Sequence, residues 1–584
     1  MDRKVNWLNA SINRWKADEY FFVSIIAILV GILAGYGAVL FRYAIIFFQS
    51  SFYGSGEDFL RIAQDIAWYK KLIFPAVGGA IVGPIIYFWA REAKGHGVPE
   101  VMEAVAIRGG HIRSRVTAVK IVASALSIGC GGSVGREGPI VQIGSALGST
   151  IGQILKVSQD RMRTLVGCGA AAGIAATFNA PIAGVFFSLE ILLGEFGVKT
   201  FSPIVLSSVT ATAISRHYFG DYPAFSVPRY EMVSVWEFFL YAAMGVMISL
   251  VAVFFVTTLY KAEDLFKAVP IRDYLKPILG GLIMGAFIIF LPQTFGVGYG
   301  TIDLSVVNGL TMWMLFLLIF AKIAATSITI GGGMSGGIFA PSLFIGAVSG
   351  GFFGSIVHTF LPDLTASSGA YALVGMGAMV AAVTHAPITA ILIIFELTSE
   401  YTIILPLMIT CIISTLLARY LKNGNIYTIK LMRRGIMLRR GREQSILRNI
   451  LVSEVMRPEV YVIKENTFLT DIMKTFQEHN ASYLQVVNEK EELSGIISFR
   501  DIRQVIQERQ LGQLVIAKDV ATSPVVTMTP EENIDDALRK MGVTGVSQLP
   551  VVDQDQPDRV IGVIYHKDVT AAYNRTALAM EEKT

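Results

Sequence analysis

The chain has 584 residues, of which 53% are apolar and only 16% charged, and its mean hydropathy is +0.55. Soluble domains carry about 25% charged residues, so an ordinary cytosolic protein is excluded. The net charge of +4 is too small to identify a partner.

The charge is unevenly placed. Asp, Glu, Lys and Arg make up about 12% of residues 1–400 and about 26% of residues 451–584, so a lipid-embedded part and a soluble part share the chain. Residues 1–20 carry Arg3, Lys4, Arg14 and Lys16 and read as a retained cytoplasmic segment. The apolar stretch after them is too long for a signal-peptide core and lacks a small-residue cleavage site. Phe21–Phe41 is free of charge and long enough to cross a hydrocarbon layer about 30 Å thick. Further charge-free runs at Ile323–Pro362 and Leu364–Phe395 make this a polytopic α-helical membrane protein.

A Gly-x-x-x-Pro pattern occurs three times, each time opening an apolar helical stretch. It reads GHGVP (Gly95, His96, Gly97, Pro99), GREGP (Gly135, Arg136, Glu137, Gly138, Pro139) and GIFAP (Gly337, Ile338, Phe339, Pro341). Proline has no N–H to lose in a first helical turn, and glycine lets the preceding backbone turn and approach a ligand. A helix that begins inside the membrane presents unpartnered N–H groups and the positive end of its dipole, which suits a small anion. Non-helical backbone at that depth has to be packed in protein or line a cavity. One such segment alone reads as a proline kink; three, two of them at matched points of a duplication, read as an anion site.

Glu137 falls where the anion belongs. A membrane carboxylate costs about 2.5–3.5 kcal/mol on insertion scales and usually marks a pathway. Ionised, it competes with the anion; protonated, it withdraws, and so it is the expected gate. A local Arg136–Glu137 ion pair is the alternative.

The duplication has an offset of 202. It matches Lys120 with Lys322, Gly129 with Gly331, Gly135 with Gly337, Pro139 with Pro341 and Gly144 with Gly346. At offset 206, Asn179–Glu190 parallels His385–Glu396. Matched Lys, Gly, Pro and Glu positions favour true duplication over chance apolar similarity, and duplicated halves with interrupted helices are how transporters build a site at the repeat interface. Recurring at equivalent places, Glu190 and Glu396 read as helix-end or interface carboxylates. Cys130, Cys168 and Cys411 lie singly, without disulfide or zinc spacing. Residues 419–448 carry nine Lys or Arg against Glu443 alone, which places this segment in the cytoplasm, beside lipid headgroups rather than nucleic acid.

These stretches, Lys120–Ser145, Phe178–Glu190, Gly336–Ala347 and Phe395–Thr410, resemble the CLC family of chloride channels and chloride/proton antiporters. The resemblance implies the CLC fold: two inverted repeats with broken helices, and a homodimer with a pore in each subunit. It makes Glu137 the external gating glutamate, places the amides of Ile338 and Phe339, in the Gly337 segment, on the central anion, and turns the Tyr427 hydroxyl toward it. Two positions depart from the antiporter pattern. His96 stands where well-known members have an anion-contacting serine. Ile191 follows Glu190 where proton-coupled members often carry a second glutamate.

Residues 452–508 and 516–573 form a second repeat, each copy reading as short strand, amphipathic helix, two apolar strands and closing helix. They resemble tandem CBS domains, which implies a cytoplasmic α/β pair able to bind ATP, ADP or AMP. Ser498 and Asp501 keep the ribose- or phosphate-contacting pattern, while Asp568 follows Tyr565 in the second copy; a purely structural dimerisation module is the alternative. The expected layout is therefore 1–20 cytoplasmic, 21–429 transmembrane, 430–451 basic linker and then the two CBS copies. Both termini are cytoplasmic and the cell membrane is the expected location.

The expected function is selective chloride transport gated by Glu137. The missing inner acceptor tips the expectation toward passive conduction, with proton-coupled exchange as the alternative. A CBS-regulated cation transporter is the rival of another class, but the membrane half offers few of the converging oxygens a divalent cation needs. No HExxH, GxSxG or paired catalytic aspartates occur in the spans, so no catalytic residue, metal site or required cofactor is expected.

Overall fold

The structure, a computed structural model, describes residues 19–434 apart from 57, 58, 222–224, 226, 229 and 231, and then 447 and 450–581 apart from 480 and 503–512. Residues 1–18 of the N-terminal segment and most of the basic linker (435–446, 448 and 449) lie outside the described residues. So does the end of the closing helix of the first CBS copy. The chain divides into two compact units, Met1–Leu438 and Arg439–Thr584.

In the membrane unit the first repeat follows α1 (Glu19–Tyr53) and comprises α2 (Trp68–Trp89), α3 (Val98–Ile107), α4 (Arg115–Gly129), α5 (Glu137–Ile154), α6 (Gln159–Phe178) and α7 (Pro181–Phe187). The last continues as a π turn over Ser188–Leu193. After α8 (Val198–Phe219) and α9 (Glu237–Ala268) the second repeat gives α10 (Lys276–Phe290), α11 (Tyr299–Val306), α12 (Met312–Gly331), α13 (Phe339–Phe360), α14 (Ser368–Thr384) and α15 (Pro387–Thr398). α16 (Ile404–Leu421) and the short α17 (Thr428–Met432) close the unit. Among the described residues, six helices are long and apolar enough to span a bilayer, α1, α2, α9, α12, α13 and α16, whereas α10, α14 and α15 are shorter apolar pieces.

The repeats face each other through reciprocal contacts, as two copies around an axis must. The duplication reaches further back than the motifs suggest: Pro75, Gly79 and Gly83 of α2 match Pro277, Gly281 and Gly285 of α10. A Cβ on Gly79 would lie 2.2 Å from the Pro277 carbonyl oxygen, and one on Gly281 2.2 Å from that of Pro75. Only glycine permits this crossing. At the centre the Gly135 N–H donates to the Gly337 carbonyl at 2.7 Å, and the Gly337 N–H returns the bond to Gly135 at 2.6 Å.

Glu190 and Glu396 perform the same exchange at the helix ends. Glu396 accepts from the N–H groups of Ile182 (3.0 Å) and Ala183 (2.7 Å), at the start of α7. Glu190 accepts from Thr389 N–H (2.7 Å) and Thr389 Oγ1 (2.6 Å), and more weakly from Ile388 N–H (3.4 Å), at the start of α15. Both helices open with proline, and each carboxylate satisfies N–H groups that have no partner within the helix. The interface role expected for both glutamates is what the geometry displays. Cys130, Cys168 and Cys411 are buried free thiols.

In the tail unit, β1 (Val462–Lys464), α18 (Leu469–His479), β2 (Tyr483–Val487) and β3 (Leu493–Ser498) build the first copy. Its sheet has order β1-β2-β3, with β1 parallel and β3 antiparallel to β2. The second copy has α19 (Ile534–Thr544), capped by the Asn533 side chain, then the antiparallel pair β4 (Gln548–Val552) and β5 (Val560–Tyr565), and α20 (His566–Glu581). Its expected first strand is reduced to one bridge between Met528 and Val551. Pro524 and Pro530 flank that segment and remove two ladder donors.

Candidate anion site and gate

All three Gly-x-x-x-Pro segments begin helices: α3 after Gly97, α5 at Glu137 and α13 at Phe339. They meet at one place. A Cβ on Gly138 would lie 2.2 Å from the His96 carbonyl oxygen and 3.0 Å from Gly337 Cα. One on Gly97 would lie 3.0 Å from the Gly138 carbonyl, and the Gly336 N–H donates to the Gly95 carbonyl at 3.3 Å. Pro99, Pro139 and Pro341 each fall in the first turn of these helices, where no donor is lost.

Ile338, Phe339 and Tyr427 are buried in the same core, and the rings of Tyr427 and His96 lie 5.9 Å apart. The His96 Nδ1 is buried without a hydrogen-bond partner. Asn425 orients the Tyr427 segment by accepting from the N–H groups of Tyr427 (3.0 Å) and Thr428 (2.8 Å).

Glu137 is 1% exposed, and its carboxylate folds back against the start of α13. Oε2 accepts from the Ala340 N–H at 3.4 Å, and Oε1 accepts from the Tyr299 hydroxyl at 2.8 Å. A Cβ on Gly135 would collide with Oε2 at 2.1 Å, so glycine there leaves the space that the carboxylate fills. A carboxyl group thus sits before the N-terminus of a second-repeat helix, at the place expected for an anion. Arg136 stacks on Tyr299 and donates to the Thr177 carbonyl at 3.4 Å, so the simple Arg136–Glu137 pair does not describe Glu137's contacts.

Tyr299 was not singled out from the sequence, and the matched lysines Lys120 and Lys322 had no role assigned there. Tyr299 opens α11 directly after Gly296-Val297-Gly298, which matches Gly95-His96-Gly97 at an offset of 201. Without a proline the fourth segment escaped the pattern, although Gly97 and Gly298 share a positive φ, 83° and 94°. Lys120 and Lys322 anchor these two loops. The fully buried Lys120 Nζ donates to the carbonyls of Ala93 (3.0 Å) and Gly95 (2.9 Å), and Lys322 Nζ to those of Gly296 (3.0 Å) and Val297 (3.2 Å). No group of three or more His, Cys, Asp or Glu suited to a metal occurs among the described residues.

Residues 78–419 match the family described as "Voltage gated chloride channel", and residues 452–508 and 517–575 match the CBS domain. The chain belongs to the CLC family. A "Putative chloride channel protein ClcB-like" of Ralstonia nicotianae is 36% identical over 417 residues, 70% of this chain and 96% of that protein. The "H(+)/Cl(-) exchange transporter ClcA" of Vibrio parahaemolyticus is 32% identical over 443 residues, 74% and 93% of the two chains. A slow cyanobacterial Cl-/H+ antiporter superposes with a TM-score of 0.64 at 27% identity, covering 70% of this chain and 97% of its own. A eukaryotic CLC transporter shares the fold over 94% of this chain and 97% of its own, with a TM-score of 0.65 at 19% identity. Chloride transport across a membrane, and not enzymatic turnover, is the activity of this CLC chain.

In the tail of this CLC chain, Asp501 Oδ2 accepts from Ser498 N–H (2.8 Å) and Ser498 Oγ (2.7 Å), and both residues line a cleft of about 750 Å³ with Tyr483, Phe499, Thr522 and Ser547. Asp568 is engaged differently. Arg457 donates to both its oxygens, at 2.7 and 2.6 Å, and the bonds to Asp568 raise the Arg457 guanidinium above its already high ordinary value.

Proposed function

We propose that this chain is a proton-coupled chloride antiporter in which Glu137 is the gate and the proton carrier. The observation that carries the reading is the Glu137 carboxylate seated before α13, held by Tyr299 and Ala340. There it competes with chloride for the amides of Ile338 and Phe339, and protonation releases it, so one group links the two ions. His96 and Tyr427 line the central position below. The expectation of passive conduction, drawn from Ile191, gives way because relatives at 30–32% identity are named as H+/Cl− exchangers and a solved Cl−/H+ antiporter shares the fold. Ile191 then implies that protons reach Glu137 by a route other than a carboxylate at 191.

The working unit is a homodimer in the cell membrane with both termini cytoplasmic. An adenine nucleotide, ATP, ADP or AMP, binds at Ser498 and Asp501, the cleft being roomy and lined by hydroxyl groups of Thr522 and Ser547 as well as by Tyr483 and Phe499, and shifts the balance of tail conformations. The second position, Asp568, is occupied by Arg457 and takes part only if that pair opens.

The test is transport in sealed liposomes holding purified protein. A chloride gradient is expected to drive protons uphill at a fixed stoichiometry, with potassium and magnesium flux as controls. Chloride movement that leaves protons at equilibrium returns the protein to passive conduction.

A further inference from the structure

Beyond the gate lies a cavity of about 930 Å³ lined by Arg42, Arg61, Arg136, Gln49, Tyr299 and Asp303, among others. Among the described lining residues, three guanidiniums stand against one carboxylate, Asp303. Tyr299, which bonds the gate carboxylate, forms part of that wall, so the cavity adjoins Glu137.

Two of the arginines are held as anion receptors are held. Arg42, half-buried on α1, lies over the Phe219 ring at 4.0 Å, and among the described residues the titratable groups that face it are Arg136, Tyr299 and Tyr43, none of them a carboxylate. Arg136 lies over the Tyr299 ring at 5.3 Å, faces Glu137, and keeps its Nε buried with no hydrogen-bond partner. Two like charges fixed near one another at a partly buried site repel, and a buried donor without a partner is costly. A bound anion relieves both.

We propose that Arg42 and Arg136 form a second anion-binding site in this vestibule, outside the position that Glu137 occupies. Its ligand class is the small oxyanion or halide. Planar guanidinium forks match an oxyanion's oxygens in pairs, so a divalent oxyanion binds more tightly than chloride. Chloride, with one charge and no fixed geometry, binds loosely enough to move on to the gate. A divalent oxyanion stays and obstructs the vestibule.

The effect on flux rests on the antiporter reading, whereas the binding itself does not. Calorimetry on the purified full-length protein in chloride-free buffer of fixed ionic strength, with sodium sulfate as the probe, is expected to show one sulfate per chain. Arg42→Gln should weaken it at least tenfold, and Arg42→Lys, which keeps the charge but loses the fork, by less. In liposomes, sulfate on the vestibule side should slow chloride flux in wild type and not in Arg42→Gln. No sulfate binding, or equal affinity in wild type, Arg42→Gln and Arg42→Lys, overturns the site. Arg42-dependent binding without any effect on a chloride flux that wild type does carry overturns its place on the pathway. Arg42-dependent binding by a protein that moves no chloride upholds the site and sinks the transport reading instead.

Discussion

The Tyr299 hydroxyl and the Glu137 carboxylate lie 2.8 Å apart, although 162 residues separate them in the chain and each belongs to a different repeat. On the proposed mechanism, the first repeat supplies the carboxylate that closes the pathway, and the second supplies the donor that keeps it closed. Tyr299 is itself fastened, by Arg136 on one side of its ring and Phe225 at 5.6 Å.

Removing that donor is the sharpest probe of the gate. A hydrogen bond to an ionised group is worth about 1.5–3 kcal/mol, and it favours the ionised, closed form. Tyr299→Phe should therefore raise chloride flux about tenfold or more near neutral pH and move half-activation to higher pH. Flux measured from pH 4 to 8 checks both, and a profile superimposable on wild type removes the latch.

Glu137→Gln leaves a side chain that cannot ionise. Chloride flux should persist or increase, lose its pH dependence, and no longer drive protons. Retained proton coupling in this variant would assign the proton to another group.

The reciprocal glutamates should behave as structural groups. Glu190→Gln and Glu396→Gln each remove a charged cap from the other repeat's helix, a loss of about 0.5–2 kcal/mol. The expected result is a Tm lower by a few degrees for each, with coupling stoichiometry unchanged. A changed stoichiometry in Glu190→Gln would make it a proton carrier.

His96, which lines the central position on the proposed mechanism, is 2% exposed, and burial first and then the nearby Lys430 disfavour its protonated form. It should then act as a neutral donor in the serine's place. Chloride affinity measured from pH 5 to 8 should follow the same slope in wild type and His96→Ser. A slope present in wild type and lost in His96→Ser would make the imidazole a pH switch instead.

In the tail, Asp501→Asn should abolish ATP binding to the full-length protein, while Asp568→Asn, which breaks the pair with Arg457, should leave ATP affinity within a few-fold. Calorimetry with millimolar nucleotide distinguishes the two, and equal loss in both would show that the Arg457 pair opens to admit ligand.

How much of this was legible beforehand varies with the physics involved. Helix starts at Glu137 and Phe339 were readable because glycine and proline mark them locally. The pairing of Glu190 with α15 and of Glu396 with α7 was foreshadowed by their matched positions, but the swap between repeats is a matter of three dimensions. Tyr299 was missed because its loop lacks proline, and aligning GVGYG with GHGVP would have found it. Arg42 lies in an otherwise apolar helix with no local signal of what faces it. The first strand of the second CBS copy is reduced because Pro524 and Pro530, both visible in the sequence, outweigh its apolar pattern.

The mutual backbone bonds of Gly135 and Gly337 tie both halves of the pathway to one hinge point, and the loops around it are near copies. A symmetric scaffold gives its two sides no difference. Sidedness at the site therefore rests with positions where the copies differ, among them Glu137 against Phe339, Arg136 against Ile338, His96 against Val297, and Tyr299 against the first repeat's Val98. Exchanging side chains at those positions, with the backbone untouched, should move the carboxylate and its tyrosine partner to the opposite side of the site, while the ion gradients still set the direction of net transport.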